Sequence, residues 1–247
     1  RLGQVIAPGA NDFERLSLLR EWVHRQWYGW QNDRYPHCPT WDPLEILDTV
    51  KGNWGFGMCT HYAAVFVGCA AALGYAARSV IIDHHCIAEV WVPDMDRWVV
   101  MDPGPDRQYN AVYEIDGRPL SALEVHRALV AGRRDELRER ISPQNEVRPM
   151  RAKFVDGFCR FGIALRNNHL VQPEPAELAH GHGQYHWNGY LWWTDEPDPR
   201  YPEYTLQTRR EADLYWTVGR VRIHLQALDD LGRLLVHLEH TMPNFDR

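Results

Sequence analysis

The chain has 247 residues, of which 45% are hydrophobic and 24% are charged, and its formal net charge is -6 at pH 7. These proportions are typical of a globular protein and exclude a disordered or collagen-like chain. No segment contains the roughly 18 uninterrupted apolar residues of a transmembrane helix, so we expect no membrane partner. Because general nucleic-acid binders are usually basic, the negative charge also argues against a nucleic-acid partner.

The cysteines are few and follow no common pairing pattern. Their number is odd, and no Cys-x-x-Cys pair occurs, which fits neither a disulfide framework nor a structural zinc site. They are Cys38, Cys59, Cys69, Cys86 and Cys159. This pattern leaves room for one cysteine that is retained for its reactivity.

Helix start signals predict two helices near the beginning of the chain. Asn11 can cap the first helix, with Glu14 three residues later. Apolar residues then recur on one helical face, at Phe13, Leu16, Leu19, Val23 and Trp27. The second helix begins after Asp42, with Pro43 in its first position. Residues 28–41 between the two helices are rich in polar residues, proline and aromatics, and we interpret them as a long loop.

A glycine-rich turn and a buried helix follow. The turn spans Gly52–Gly57, and from Cys59 to Leu73 the residues are small or apolar on nearly every face. A helix that is apolar all round is a buried helix. Gly74 supplies the usual residue just beyond a helix end.

Three strands are predicted after this helix, at Arg78–Asp83, Cys86–Val92 and Arg97–Met101. The last two are joined by residues 93–96, whose proline and aspartates favour a hairpin loop. Further along, Ser121 and Glu124 form a capping box, and we expect their helix to run to about Ile141.

The remainder of the chain is less regular. Residues 142–205 are predicted to form loops with short strands, because they are rich in proline and aromatics. Two alternating strands then follow, and Asp229–Gly232 supplies the turn between them. Their apolar positions are Val221, Ile223 and Leu225 in one strand and Leu234, Val236 and Leu238 in the other.

Cys59 is the best placed nucleophile in the sequence. A thiol at a helix N-terminus lies at the positive end of the helix dipole, which lowers its pKa. The thiolate is the reactive form, so a catalytic cysteine fits this position. A small apolar cysteine packed in a core is the competing interpretation.

The predicted hairpin brings a base and a carboxylate together. If Val92 pairs with Arg97, Asp102 lies opposite Ile87, and His85 is its diagonal neighbour on the same face. Diagonal pairs are about 7–8 Å apart at the backbone, within reach of these two side chains. The carboxylate can then orient the imidazole toward a nucleophile. We therefore predict a catalytic set of Cys59, His85 and Asp102, with ordinary hairpin-end residues as the alternative.

Several segments of the chain together resemble a known family. In chain order they are Gly57-Met58-Cys59, Leu73-Gly74, Ala77-Arg78, His85-Cys86-Ile87-Ala88-Glu89-Val90 and Trp98-Val99-Val100-Met101-Asp102-Pro103. Their order and spacing resemble the transglutaminase-like superfamily of the papain-like cysteine enzymes, and the likeness covers roughly residues 11–105. The family usually has Ala-Trp after its histidine, where this chain has Cys86-Ile87. The calcium-binding acidic loops of animal transglutaminases have no visible counterpart here.

The resemblance implies acyl transfer, with Cys59 attacking an amide or ester carbonyl and His85 handling the protons. The Cys59 backbone N–H and a second donor would hold the oxyanion, and Trp54 is our candidate for that donor. His61, Glu89 and Trp187 are further candidates for oxyanion stabilisation or substrate binding.

Other polar and aromatic clusters leave alternatives open. His180, His182 and His186 are weak metal-ligand candidates, but they match no standard zinc spacing, and a polar loop at the cleft is the other interpretation. His84 competes with His85 as the base but is predicted on the opposite strand face. The aromatic run comprises Tyr185, Trp187, Tyr190, Trp192 and Trp193, and it suits either a saccharide-binding surface or a loop packed on the core. The nearby carboxylates could serve sugar chemistry or be solvated; they are Asp195, Glu196, Asp198 and Glu203.

These observations predict an α+β fold with a transglutaminase-like core over residues 1–145. Residues 146–247 would form a loop-rich segment and a small antiparallel β module, which could be part of a larger sandwich. We expect a cysteine hydrolase or acyltransferase without a cofactor, acting on an amide bond of a peptide or glycopeptide-like substrate, with hydrolysis favoured over cross-linking. The expected partner is a peptide, glycopeptide or saccharide substrate. The alternatives are a polysaccharide lyase or glycosidase on this scaffold, or a non-catalytic binding module.

Overall fold

A computed structural model describes most of the chain. The described residues are 1–27, 42–51, 57–82, 85–104, 110–142, 145–164, 190–196, 206–216, 218, 220–227 and 234–241. They form two compact units, Arg1–Leu214 and Tyr215–Arg247. Across these ranges no helix has the length and apolar content needed to span a membrane.

The helices of the first unit lie mainly in its N-terminal half. They are α1 (Leu2–Ile6), α2 (Asp12–His24), α3 (Pro43–Lys51), α4 (Cys59–Ala72), α5 (Ala122–Val130), α6 (Ala152–Gly157) and α7 (Glu211–Leu214). The predicted starts of α2 and α3 are confirmed, because Asn11 accepts a hydrogen bond from the Glu14 N–H and Asp42 accepts one from the Leu44 N–H. The loop predicted at residues 28–41 and the turn at residues 52–56 lie outside the described residues.

Ten described strands of the first unit form one sheet. They are β1 (Ala77–Ile82), β2 (His85–Val92), β3 (Arg97–Pro103), β4 (Asn110–Ile115), β5 (Arg118–Pro119), β6 (Arg138–Ile141), β7 (Glu146–Pro149), β8 (Phe161–Ala164), β9 (Tyr190–Trp193) and β10 (Gln207–Thr208). Their order is β10-β9-β8-β1-β2-β3-β4-β6-β7, with β5 paired to β4. All these pairs are antiparallel except β9 with β10. The predicted α+β fold with an antiparallel-rich sheet is therefore confirmed.

Helix α4 is the central helix of the core, as its uniformly apolar sequence predicts. Tyr62, Val65 and Phe66 of α4 are almost fully buried and cluster with Ala88 and Val90 of β2. The helix ends before Gly74, whose φ of +87° is the left-handed conformation that favours glycine. This packing holds the first residue of α4 against the sheet.

Helix α5 is shorter than the sequence predicts. Its capping box at Ser121 and Glu124 is present, but the helix ends at Val130 instead of continuing to about Ile141. Gly132 has a φ of +72°, which ends the helix, and residues 138–141 instead become β6. The buried Glu139 explains the change, because it pairs with Arg148 from β7 across the sheet.

The sheet of the first unit includes strands on both sides of residue 145, and the predicted domain division at that residue stays a prediction. The second unit contains the two predicted terminal strands, β11 (Arg220–Ala227) and β12 (Leu234–Thr241). They pair antiparallel with Ile223 opposite Leu238 and Leu225 opposite Val236. The described side chains Leu225 and Val236 therefore lie on the same face of the hairpin.

Candidate active site

Cys59 is the first residue of α4, where the sequence predicts a nucleophile. Its backbone N–H lies in the first turn and has no acceptor within its own helix. Gly57, two residues before Cys59, lies so close to Trp27 that a Cβ at Gly57 would collide with the indole ring. That indole stacks on Tyr62 of α4, with ring centroids 3.8 Å apart. Gly57 is therefore held tightly against Trp27 and Tyr62.

His85 and Asp102 form a buried hydrogen-bonded pair. His85 Nε2 lies 2.7 Å from Asp102 Oδ2, and the two side chains are 6% and 0% exposed. The pair follows from the predicted register, because Val92 does pair with Arg97 and the ladder continues to Ala88 and Met101. Since Nε2 is taken by the carboxylate, Nδ1 is the ring nitrogen left for Cys59.

Cys59, His85 and Cys86 meet at one point. The Cys59 sulfur is hydrogen-bonded both to the Cys86 thiol and to the His85 imidazole. The hydrogen bond from Cys86 and the adjacent imidazolium together hold the pKa of Cys59 well below its ordinary value, although burial opposes them. Cys59 is the only one of the three that is partly exposed. Cys59 is therefore the most accessible of the three side chains, and its thiol pKa is lowered.

The charge of His85 follows from its two neighbours. Burial lowers the pKa of the imidazole, but the Asp102 carboxylate and the hydrogen bond to Cys59 outweigh burial and raise it to about 10. The pKa of the Cys86 thiol is raised well above its ordinary value by its hydrogen bond to Cys59 and by burial. At neutral pH the arrangement is thus a thiolate and an imidazolium, with Cys86 protonated as a donor.

Asp102 is fixed by donors besides the imidazole. Tyr113 on β4 donates its hydroxyl to Oδ2 at 3.2 Å, and the Gly104 N–H donates to Oδ1 at 2.9 Å. Burial and the nearby carboxylate hold the pKa of Tyr113 well above its ordinary value, so the phenol stays a donor. The His24 ring of α2 is hydrogen-bonded to the Gly104 carbonyl at 2.8 Å, which ties down the turn after Asp102.

A buried cation also lies near Asp102. Arg20 of α2 is 2% exposed, and its Nε donates to Asn110 Oδ1 at 2.9 Å. Burial lowers the pKa of Arg20 to about 10, so the guanidinium remains charged at neutral pH. It places a positive charge near the Asp102 carboxylate.

The comparison with protein families gives a match, and it includes the residues of this site. Residues 2–103 match the family model described as the transglutaminase-like superfamily. This part of the chain, less than half of its length, is similar to the transglutaminase-like superfamily. The match suggests a papain-like cysteine enzyme, and the matched segment includes Cys59, His85 and Asp102. A search of curated proteins found no match for the chain.

Two residues of the transglutaminase-like motif form a buried ion pair beside the site. Arg78 of β1 lies directly opposite Glu89 of β2, and its Nη2 is 2.6 Å from the carboxylate. The guanidinium carbon also lies 3.9 Å from the centre of the Trp98 ring. The other Glu89 oxygen accepts the N–H of Ala122 at the start of α5. Both carboxylate oxygens of Glu89 thus have partners within the domain. The predicted role of Glu89 in substrate binding stays a prediction.

His61 has a similar local role in the transglutaminase-like domain. It is fully buried, and its Nδ1 accepts the N–H of Met58 at 3.0 Å, which caps α4 from inside. Its predicted part in substrate or oxyanion binding stays a prediction. The candidates Trp54 and Trp187 lie outside the described residues, as do His84, His180, His182 and His186. Within the described ranges no group of three or more His, Cys, Asp or Glu side chains is arranged to hold a metal ion.

Part of the aromatic run packs in the core of the domain. Tyr190, Trp192 and Trp193 of β9 are 4%, 2% and 5% exposed, which places them in the core and not on a surface. Tyr190 and Trp192 cluster with Ile81, Cys86 and, at the edge, Cys59. Asp195, one of the predicted carboxylates, lies 3.0 Å from Nε2 of the buried His126.

The sequence interpretation missed Tyr113 and Arg20 as neighbours of Asp102. The stretch Asn110–Ile115 is rich in strand-forming residues, which could have predicted β4 and its buried Tyr113. Arg20 lies in the middle of a well-predicted helix, where an arginine normally indicates the solvent face. No local signal marks its burial.

Proposed function

We propose that the protein is a cysteine hydrolase that cleaves an amide bond in a peptide or glycopeptide-like substrate. The observation that carries this proposal is the Asp102–His85 hydrogen bond of 2.7 Å beside a Cys59 thiol that the imidazole contacts. A nucleophile, a base and an orienting group in this order satisfy the geometric requirements of thiol acyl transfer. The match of residues 2–103 to the transglutaminase-like superfamily supports the same class of chemistry.

In the proposed reaction the Cys59 thiolate attacks the amide carbonyl, and the carbonyl π electrons move to oxygen. The Cys59 backbone N–H, which has no acceptor in its helix, donates to that oxyanion. His85 gives its proton to the leaving nitrogen as the C–N bond breaks, which leaves a thioester and a neutral imidazole. His85 then takes a proton from water, and hydroxide attack on the thioester returns the Cys59 thiolate and the imidazolium.

Asp102 keeps its charge and holds the ring so that Nδ1 faces the sulfur through both steps. We propose water as the acceptor because hydrolysis needs no second substrate site. Transfer to an amine would use the same thioester, with the amine in the place of water.

The test is cleavage of a mixed library of peptide amides by the full chain, read by mass spectrometry. Cys59→Ala is expected to abolish cleavage, and His85→Ala to reduce it by orders of magnitude. Cys69→Ala is the matched control, because Cys69 lies in the same helix and burial raises its thiol pKa to about 11. Cleavage that survives in Cys59→Ala would contradict the proposal, and sugar chemistry would then be tested on oligosaccharides.

A labelling experiment checks the nucleophile without any substrate. Limiting iodoacetamide at pH 6 is expected to label Cys59 before the other cysteines, and the label is expected to fall in His85→Ala. Predominant labelling at Cys159, with Cys59 inert, would refute a thiolate at Cys59 and favour a binding module.

A further inference from the structure

Cys86 forms and breaks no bond in the steps of the proposed hydrolysis. It follows His85 directly, at the position where the sequence departs from the usual family motif. Side chains of β2 alternate, and Cys86 is in phase with Ala88 and Val90, which pack in the core against α4. Cys59 at the start of α4 packs against the cluster that contains Cys86. The fold therefore brings the two sulfurs together from two different elements.

The two thiols differ in their exposure to solvent. Cys86 is only 3% exposed, whereas Cys59 is partly exposed at the same point. Solvent and small oxidants therefore reach Cys59 first, and Cys86 lies behind it. A reactive, accessible thiol with a second thiol in contact is the usual arrangement of an attacking and a resolving cysteine.

We propose that Cys59 and Cys86 form an intramolecular disulfide when the protein meets a hydroperoxide. The oxidation uses the reactivity of Cys59 but needs no amide substrate, so it does not depend on the reaction proposed above. It would make the nucleophile reversibly unavailable and protect it from further oxidation.

The chemistry balances in two steps. The Cys59 thiolate attacks one peroxide oxygen, the O–O bond breaks, and the departing hydroxide takes a proton from the His85 imidazolium, which leaves a sulfenic acid on Cys59. Cys86 sulfur then attacks the Cys59 sulfur, the S–O bond breaks, and the thiol proton leaves with the hydroxide as water. Two thiols lose two electrons in total, and one peroxide is reduced by the same two electrons to water or to an alcohol and water.

The second step becomes easier once the first has occurred. The hydrogen bond to the Cys59 thiolate is the largest cause of the raised pKa of Cys86. Sulfenic acid formation removes that negative charge, so burial and the Asp102 carboxylate alone continue to oppose ionisation of Cys86. Cys69 cannot serve instead, because it lies ten residues along α4, about 15 Å from Cys59.

The full chain is treated with hydrogen peroxide, blocked with N-ethylmaleimide in denaturant and digested without reductant. The expected product is the Cys59 peptide joined to the Cys86 peptide, which dithiothreitol separates while restoring the iodoacetamide reactivity of Cys59. Cys69→Ala is the matched control and is expected to give the same cross-link. In Cys86→Ala and Cys86→Ser, Cys59 is expected to stop at a sulfenic acid that dimedone traps, and excess peroxide is expected to destroy its reactivity irreversibly.

The hydroxyl introduced by Cys86→Ser can still donate a hydrogen bond to Cys59 but cannot form a disulfide, so that variant separates the two roles of Cys86. A Cys59 that pairs with another cysteine, that becomes sulfinic acid while Cys86 stays reduced, or that does not react with peroxide would overturn the proposal. The wild-type peptide map decides this even if a variant does not fold. A chain that forms the cross-link but cleaves no amide would overturn the proposed hydrolysis alone.

Discussion

Asp102 sits at the end of β3 with donors from three other positions in the chain. His85 and Tyr113 both approach Oδ2, and the Gly104 N–H approaches Oδ1. A buried carboxylate keeps its charge only when such donors replace water. The orientation of His85 toward Cys59 therefore depends on residues that never touch the sulfur.

Tyr113→Phe tests this dependence at one atom. Loss of the hydroxyl is expected to cost about 1 kcal/mol of unfolding free energy and to raise the pKa of Cys59, because the His85–Asp102 pair is held less firmly. The pKa is measured from the pH dependence of Cys59 alkylation, and stability from denaturant unfolding. Tyr75→Phe is the matched control, since Tyr75 donates to the Asp12 carboxylate at 2.8 Å in another part of the domain. An unchanged alkylation profile in Tyr113→Phe would mean that Tyr113 does not position the pair.

The opposite pKa shifts of Cys59 and His85 predict that Cys59 reacts at a constant rate over a wide pH range. The alkylation rate of Cys59 is expected to be constant from well below the ordinary thiol value of about 8.5 up to about pH 10, where the imidazolium loses its proton. The sign for stability follows from linkage. The pKa of His85 is raised in the folded state, so its positive charge stabilises the fold fully below about pH 6.5, the pKa of the unfolded state. That stabilisation is lost as the pH rises through about 10, the pKa in the folded state. A simple titration of Cys59 at about 8.5 would argue against the ion pair.

At the scale of elements, the Arg78–Glu89 pair links three parts of the first unit. It joins β1 to β2, and through the Ala122 N–H it also anchors the start of α5. Both side chains are removed from water, at 5% and 0% exposure. Removing one charge leaves the other buried and uncompensated, which costs far more than the intact pair contributes.

Glu89→Gln is therefore expected to destabilise the protein by about 3–5 kcal/mol, although glutamine preserves the size of the side chain. Denaturant unfolding measures the change. Asp48→Asn is the comparison, because Asp48 pairs with Lys51 on the exposed side of α3, and such pairs contribute little. If both substitutions had the same small effect, the buried pair would not be a support of the sheet.

At the scale of the whole molecule, the two units differ in how their sheets are covered. Helix α4 packs on the β2–β3 region of the first sheet, whereas Leu225 and Val236 of the second unit are 65% and 53% exposed. They lie opposite each other on the apolar face of the β11–β12 hairpin. An isolated two-stranded hairpin is marginally stable in water, since it has no second layer on which to bury this face.

A peptide that comprises residues 215–247 is therefore expected to show no amide protons protected from hydrogen exchange, as measured by nuclear magnetic resonance. The same amides are then measured in the full chain. Persistent protection in the isolated peptide would mean that the hairpin is stable without a covering layer.

Local sequence determined most of the elements and the contact between His85 and Asp102. The starts of α2 and α3 follow from capping side chains, and the end of α4 follows from Gly74. The contact between His85 and Asp102 was also predictable, because a short loop sets the hairpin register and the register sets which side chains are neighbours. These signals act between residues close in sequence.

Tertiary structure decided the surroundings of that pair. Contacts between residues distant in the chain place Arg20 near Asp102. They also bring Cys86 against Cys59 and bury Trp192 beside the two cysteines. No local sequence pattern encodes these contacts. The end of α5 belongs here too, since β6 forms where Glu139 finds partners in the sheet. Local preferences differ by only about 1 kcal/mol per residue, so burial and charge pairing in the folded chain outweigh them wherever the two disagree.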